Sequence, residues 1–203
     1  MIWLLTLALA GPLPAPAPNG DSNAHAPHTI VPAPLTGAPR SLSAEALLRA
    51  EHRQIRGMDR RVDALVAEGI RRSATFSRLV SDLHETDVIV YVESTFNLPA
   101  TQAGRLLLQA APGARRYLRV QVRATLEKDH VLAVLAHELR HALEVAADPS
   151  VIDEQALVTL YTRIGHVSAE TKGYDTQAAK DAGEQVREEL LGARFGSRVV
   201  RGA

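Results

Sequence analysis

Apolar residues recur at helical spacing in the first part of the folded chain. Ser41 or Ser43 can cap a first helix, which Gly69 ends, with Gly57 as a candidate break inside it. The apolar positions of this helix are Leu47, Leu48, Ile55, Met58, Val62, Leu65 and Val66. Ser73 is predicted to cap a second helix. Its apolar positions are Phe76, Leu79, Val80 and Leu83.

The pattern then changes from helical spacing to that of strands. Residues 87–92 form a β-branched run typical of a buried strand. Residues 105–109 and 117–122 are two further strand candidates, separated by a turn at Pro112-Gly113. The short connection predicts that these two strands form an antiparallel hairpin.

Three more helices are predicted after the hairpin, over 131–146, from Ser150 to Gly165, and over 176–191. The first ends at Asp148-Pro149, because a proline disfavours helical geometry in the residue before it. Ser150 and Asp153 have the spacing of a capping pair that opens the second. The elements together predict an α+β domain over 41–203, mostly helical with a small sheet.

Composition supports one domain and excludes some partners. The chain has 203 residues, 46% of them hydrophobic, and no net formal charge, which is enough for a hydrophobic core. The neutral balance gives no reason to expect nucleic acid, and the basic residues of the C-terminal tail, Arg194, Arg198 and Arg201, are too few to indicate it. There are no cysteines, so disulfides and thiolate metal ligands are excluded.

The segment before residue 41 is predicted to lie outside the domain. Residues 1–10 are apolar and end in small residues, which resembles a signal peptide, although basic residues are missing at its start. We therefore expect export, secreted or periplasmic, with a cytoplasmic location as the alternative. The apolar run is too short to span a bilayer, so no integral membrane span is expected. Residues 11–40 are rich in Pro, Ala and Gly and are predicted to form a disordered linker.

The helix predicted over 131–146 carries the candidate chemistry. His137, Glu138 and His141 follow the order H-E-x-x-H, in which the two imidazoles lie one turn apart on one helix face and can meet a single ion. The apolar stripe that buries this helix is Leu132, Leu135, Leu139, Ala142 and Leu143. Two histidines and a glutamate are costly to bury without partners, and a zinc ion would supply one.

The run LAHELRHAL resembles the zincin metallopeptidases. The resemblance implies that His137 and His141 bind Zn²⁺, that Glu138 is the general base, and that the reaction is hydrolysis of a peptide or protein substrate. Arg140 is charged at a position that is usually uncharged in zincins. Glu144 and Ala147 stand where the longer zincin motif has glycine and a third histidine, so the branch with an acidic third ligand from the next helix, the gluzincin-like branch, fits better.

The resemblance also assigns 117–122 to the edge of the substrate cleft, where an extended peptide would pair with it. The alternative is an internal strand. A hydrolase of this class also needs a donor for the oxyanion of the tetrahedral intermediate. Tyr174 and His166 lie in a predicted loop and are the candidates.

Three residues are candidates for the third zinc ligand. The short link after 131–146 predicts that the next helix runs antiparallel beside it, which brings the start of that helix near the ion. Glu154 can reach back, whereas Asp153 is shorter and has a competing role as a cap. Glu144 shares the face of the two histidines but sits one turn beyond the ion, where it could instead hold His141 by a hydrogen bond.

Two other functions remain open at this stage. The chain could be a zinc-binding module without turnover, or a helical interaction module in which H-E-x-x-H is accidental.

Overall fold

The computed structural model describes residues 54–109, 115–167 and 173–199. The predicted signal peptide (1–10), the linker (11–40) and the turn at Pro112-Gly113 lie outside the described residues. The described part of the chain is α+β, with five helices and a small mixed sheet. Within these ranges no helix combines the length and the apolar character that crossing a membrane requires.

The main sheet has four strands in the order β1-β2-β4-β3. They are β1 (Ile55–Gly57), β2 (Val88–Thr95), β3 (Gly104–Gln109) and β4 (Arg116–Arg123). β1, β2 and β4 run parallel, and β3 pairs antiparallel with β4, which confirms the predicted hairpin. The placement of 117–122 at the sheet edge is wrong. β4 is internal and β3 is the outer strand, because β4 pairs with β2 on one side and with β3 on the other.

The helices are α1 (Arg60–Arg72), α2 (Ala74–His84), α3 (Lys128–Ala147), α4 (Glu154–Ile164) and α5 (Gln177–Val199). The Ser73 hydroxyl accepts the Phe76 N–H and caps α2, as predicted. The first predicted helix is wrong in its middle part. Ile55–Gly57 form β1 there, and α1 begins at Arg60, because the Asp59 carboxylate caps it by accepting the N–H groups of Arg61 and Val62. The predicted start at Ser41 or Ser43 lies outside the described residues.

α3 is the central element of the core. Residues 131–139 are buried without exception, since the segment is apolar around nearly its whole circumference. The sheet, α2 and α5 cover it, and α5 is its most extensive helical neighbour. Ala182, Val186 and Leu190 form the buried face of α5. The H-E-x-x-H residues therefore lie inside the domain.

The C-terminus of α3 is held by Arg116, a buried residue at the start of β4. Its guanidinium donates to the backbone carbonyls of Val145 and Asp148, both at 2.7 Å, and of Ala146 at 3.1 Å. The same group forms two hydrogen bonds with the Asp87 carboxylate, which lower the pKa of Asp87. These contacts satisfy carbonyls that the end of a helix leaves without intrahelical partners.

α4 differs from its prediction in its start, and α5, not α4, is the helix that packs along α3. Asp153, not Ser150, is the N-cap, because its carboxylate accepts the Ala156 N–H at 2.8 Å while Ser150 bonds to Asp148. Gly165 follows the last residue of α4, as predicted. After α4, a two-stranded sheet of β5 (His166–Val167) and β6 (Tyr174–Asp175) returns the chain towards α3 and leads into α5.

Candidate metal centre

Three buried donor atoms converge in the core. The Nε2 atoms of His137 and His141 are 3.2 Å apart, and Asp175 Oδ1 lies 3.5 Å from the first and 3.8 Å from the second. Tetrahedral zinc with bonds of about 2.0–2.2 Å places neighbouring ligand atoms about 3.3 Å apart. The three separations therefore fit a single small cation, and the donors, two imidazoles and one carboxylate, are typical zinc ligands.

The elements explain why these atoms meet. His137 and His141 lie one turn apart on α3, so their rings project from the same face of the helix. Asp175 ends β6, directly before the N-terminus of α5, and α5 packs along α3. Its Oδ1 also accepts the Thr176 N–H at 2.8 Å, which fixes that oxygen towards the histidines.

Glu144 orients His141 from the side away from Asp175. The Nδ1 of His141 is 2.8 Å from Glu144 Oε2, so this nitrogen carries the proton and Nε2 is left with its lone pair towards Asp175. Thr176 Oγ1 donates to Glu144 Oε1 at 2.7 Å. Burial alone would raise the pKa of Glu144, but its hydrogen bond to His141 holds the pKa below its ordinary value. Glu144 thus takes the orienting role and lies outside the convergent group.

Tyr161 supports His141 on another side. Its ring meets the His141 ring edge-on, with centroids 5.3 Å apart, and its hydroxyl donates to the His141 carbonyl at 3.2 Å. The ring of Tyr174 stacks on Tyr161 in turn, with centroids 6.3 Å apart. A packed layer of aromatic rings therefore fixes the orientation of this imidazole.

Glu138 is fully buried beside the three donors. Neither of its carboxylate oxygens has a hydrogen-bond partner among the described residues. Burial raises the pKa of Glu138 well above its ordinary range, and the negative charge of Asp175 adds to this effect. A buried carboxylate with two unsatisfied oxygens is matched to a cation or to a water molecule held nearby.

Burial also acts on His137. It lowers the pKa of His137 well below its ordinary value, and the nearby charges of His141 and Lys180 lower it further. The neutral imidazole is the form that binds a metal ion, so the environment of His137 favours coordination.

The outer strand β3 passes directly behind Glu138. A Cβ atom at Gly104 would lie 2.9 Å from Glu138 Oε1 and 2.5 Å from Val134 Cγ1, so a larger residue there would displace these side chains. Within the described residues β3 has a strand partner on one side only. The sheet edge and the buried carboxylate are therefore neighbours.

The other predicted site residues lie apart from this group. Glu154 begins α4 with one buried oxygen but is not among the convergent donors, and Asp153 is occupied as a cap. His166 is exposed and its Nε2 is 2.9 Å from Lys180 Nζ. Tyr174 stacks on Tyr161, as described above, and its hydroxyl is 3.4 Å from Thr162 Oγ1.

Asp175 and Lys180 were not predicted from the sequence as site residues. The sequence favoured a third ligand at the start of α4, whereas the helix that packs along α3 is α5. One local signal points to Asp175. It stands directly before Thr176, whose own hydroxyl accepts the Ala179 N–H and caps α5, so the aspartate is not needed as the cap.

Comparisons with known proteins add no relative. The chain matches no protein-family model, and neither curated proteins nor solved structures give a significant match.

Proposed function

We propose that the chain is a zinc-dependent peptidase with a zincin-like fold, in which His137, His141 and Asp175 hold the ion. The observation that carries this proposal is the convergence of the three donors beside the unsatisfied carboxylate of Glu138. The H-E-x-x-H order and the acidic third donor agree with the resemblance in the sequence. Asp175 replaces Glu154 as the proposed third ligand.

The ion would supply a Lewis acid that polarises the scissile carbonyl and acidifies water. Glu138 would take the proton from the attacking water and deliver it to the leaving amine. The raised pKa of Glu138 suits a group that must first accept and then donate a proton, because such a group is most efficient when its pKa lies near the working pH. Glu144 and Tyr161 keep His141 in the tautomer and orientation that binding requires.

The outer strand supports a peptide as the substrate. An extended peptide that pairs with the edge of β3 would add a strand to the sheet. Because a Cβ at Gly104 would lie only 2.9 Å from Glu138 Oε1, β3 runs close to the proposed base, and a peptide paired with β3 would bring its backbone near that base. Such pairing would give main-chain recognition of a peptide next to the proposed site.

The test combines zinc content and peptide cleavage for the full chain and four variants. We expect about one zinc per chain in the wild type, kept in Glu138→Gln and lost in His141→Ala and Asp175→Asn. Cleavage of a mixed peptide library should fall by at least about a thousandfold in Glu138→Gln. Glu154→Gln is the matched control, since it neutralises the other candidate ligand, and it should retain both zinc and cleavage.

A second function is favoured by one observation. His137, Glu138 and His141 are all 0% exposed, which is also typical of a closed site with a purely structural ion. In that case the wild type would bind zinc and melt at a higher temperature with it, yet cleave no peptide. Absence of zinc from the wild type after reconstitution at neutral pH would contradict both functions.

A further inference from the structure

The two oxygens of the Asp175 carboxylate face different groups. Oδ1 points to the Nε2 atoms of His137 and His141, whereas Oδ2 lies 3.5 Å from Lys180 Nζ. The Asp175 side chain is 3% exposed and that of Lys180 is 33% exposed, so this ion pair is shielded from water more than a surface pair is. One oxygen of the carboxylate is thus engaged on the side away from the imidazoles.

Lys180 is itself held in place. Its Nζ donates to His166 Nε2 at 2.9 Å, and His166 is on β5, where it is paired in register with Asp175. Lys180 belongs to the first turn of α5, which begins two residues after Asp175. The ammonium group is therefore fixed by a helix and by an anchor on the neighbouring strand.

We propose that Lys180 is a positioning residue that makes Asp175 bind the metal through one oxygen only. This inference rests on the proposed function, because it presumes that the three donors hold an ion. A carboxylate can bind a cation through one oxygen or through both. Pairing of Oδ2 with the ammonium group would keep that oxygen from binding the ion, so that a fourth ligand position would stay available to water.

Removal of the ammonium group gives a defined expectation. In Lys180→Met, Oδ2 loses its cationic partner and can turn to the ion, so the coordination number rises and the open position is filled. We expect kcat to fall about tenfold to a hundredfold with little change in KM, because the lost group acts on the site and not on peptide binding. Lys180→Arg keeps the positive charge and should restore most of kcat.

The decisive readout is the visible absorption of the full chain loaded with Co²⁺, because four-coordinate cobalt absorbs more strongly than cobalt of higher coordination number. We expect a strong band in the wild type, an intensity reduced at least about twofold in Lys180→Met, and recovery in Lys180→Arg. Lys128→Met is the matched control. Lys128 also forms an ion pair with a carboxylate, that of Glu68, but it is the first residue of α3 and lies more than two helical turns before His137. The variant should therefore keep the wild-type spectrum.

The outcomes separate this inference from the proposed function. A wild-type spectrum in a folded Lys180→Met protein would overturn the role of Lys180 and leave the metal site intact. Failure of the wild type to bind Co²⁺ or Zn²⁺ would overturn both. If circular dichroism shows that Lys180→Met is unfolded, His166→Ala takes its place in the test, because it removes the anchor of the ammonium group and keeps the lysine. It should then weaken the cobalt band partly, and an unchanged band in His166→Ala would count against the proposal.

Discussion

Glu144 joins the two parts of the candidate site, because it bonds to His141 on α3 and to Thr176 at the start of α5. We expect Glu144→Ala to lower zinc affinity about tenfold to a hundredfold, since the Nδ1 proton of His141 loses its acceptor. Competition with a chromophoric chelator measures this. Glu184→Ala is the control, because it removes an exposed carboxylate on α5. Equal zinc affinities in the two variants would contradict the role of Glu144.

Gly104 lies where a side chain would meet its neighbours. In Gly104→Ala the new methyl group meets Val134 and Glu138, so we expect a loss of about 1–3 kcal/mol in the free energy of unfolding. Peptide cleavage should fall with it while zinc affinity is kept, because the displaced group is the proposed base and not a ligand. Urea unfolding measures the change in the free energy of unfolding.

Gly192→Ala is the matched control for that substitution. A Cβ at Gly192 has no neighbouring atom within 4 Å, and the residue lies inside α5. Alanine there should stabilise the protein by up to about 1 kcal/mol, through its higher helix propensity. A loss of stability of the same size in both variants would show that the contacts of Gly104 are unimportant.

The residues of the site differ in how far the sequence revealed them. His137, Glu138 and His141 follow from local spacing on one helix, and the structure has all three on that helix inside the core. Asp175 lies far along the chain and reaches the histidines only because α5 packs against α3. No local pattern specifies that packing, so spacing alone could not identify Asp175 or Lys180.

Arg116 links β4 to the end of α3. We expect Arg116→Met to lower the free energy of unfolding by about 3 kcal/mol, because three carbonyls and the Asp87 carboxylate lose their donor in a largely buried place. Chemical unfolding measures the loss. Arg163→Met removes an arginine that is 66% exposed and pairs with Asp148, and it should change stability by less than about 1 kcal/mol.

Element boundaries show which part of the fold the sequence specifies. α2, the β3–β4 hairpin and the ends of α3 and α4 were predicted, because caps, a turn and a proline mark them locally. β1 was missed. Its three residues are a strand only through parallel pairing with β2, which is distant in sequence, and Ile55 also fits the spacing of a helix.

For the whole molecule, the buried Glu138 and His137 make the stability of the metal-free protein depend on pH. Burial raises the pKa of Glu138, so the stability it contributes is complete below its ordinary pKa of 4.5 and is lost as the pH rises through the folded pKa. Burial lowers the pKa of His137, so its contribution is complete above 6.5 and is lost as the pH falls through the folded pKa.

Glu138→Gln separates these two effects. In the presence of chelator, the variant should be more stable than the wild type at about pH 8, because no buried charge has to form. The difference should shrink as the pH is lowered and vanish below 4.5, where the wild-type glutamate is protonated in both states. Urea unfolding of both proteins across this pH range measures the difference in stability. A difference that does not change with pH would be evidence against a raised pKa of Glu138.

Asp175 and His141 are far apart in sequence, and all of α4 lies between them. An ion bound by both would therefore close this stretch of chain into a ring, as a disulfide does in proteins that have cysteines. Such a ring restricts the unfolded chain far more than the folded one, and its opening frees the enclosed segment first. Chelation should thus expose α4 to an added protease while the four-stranded sheet remains protected.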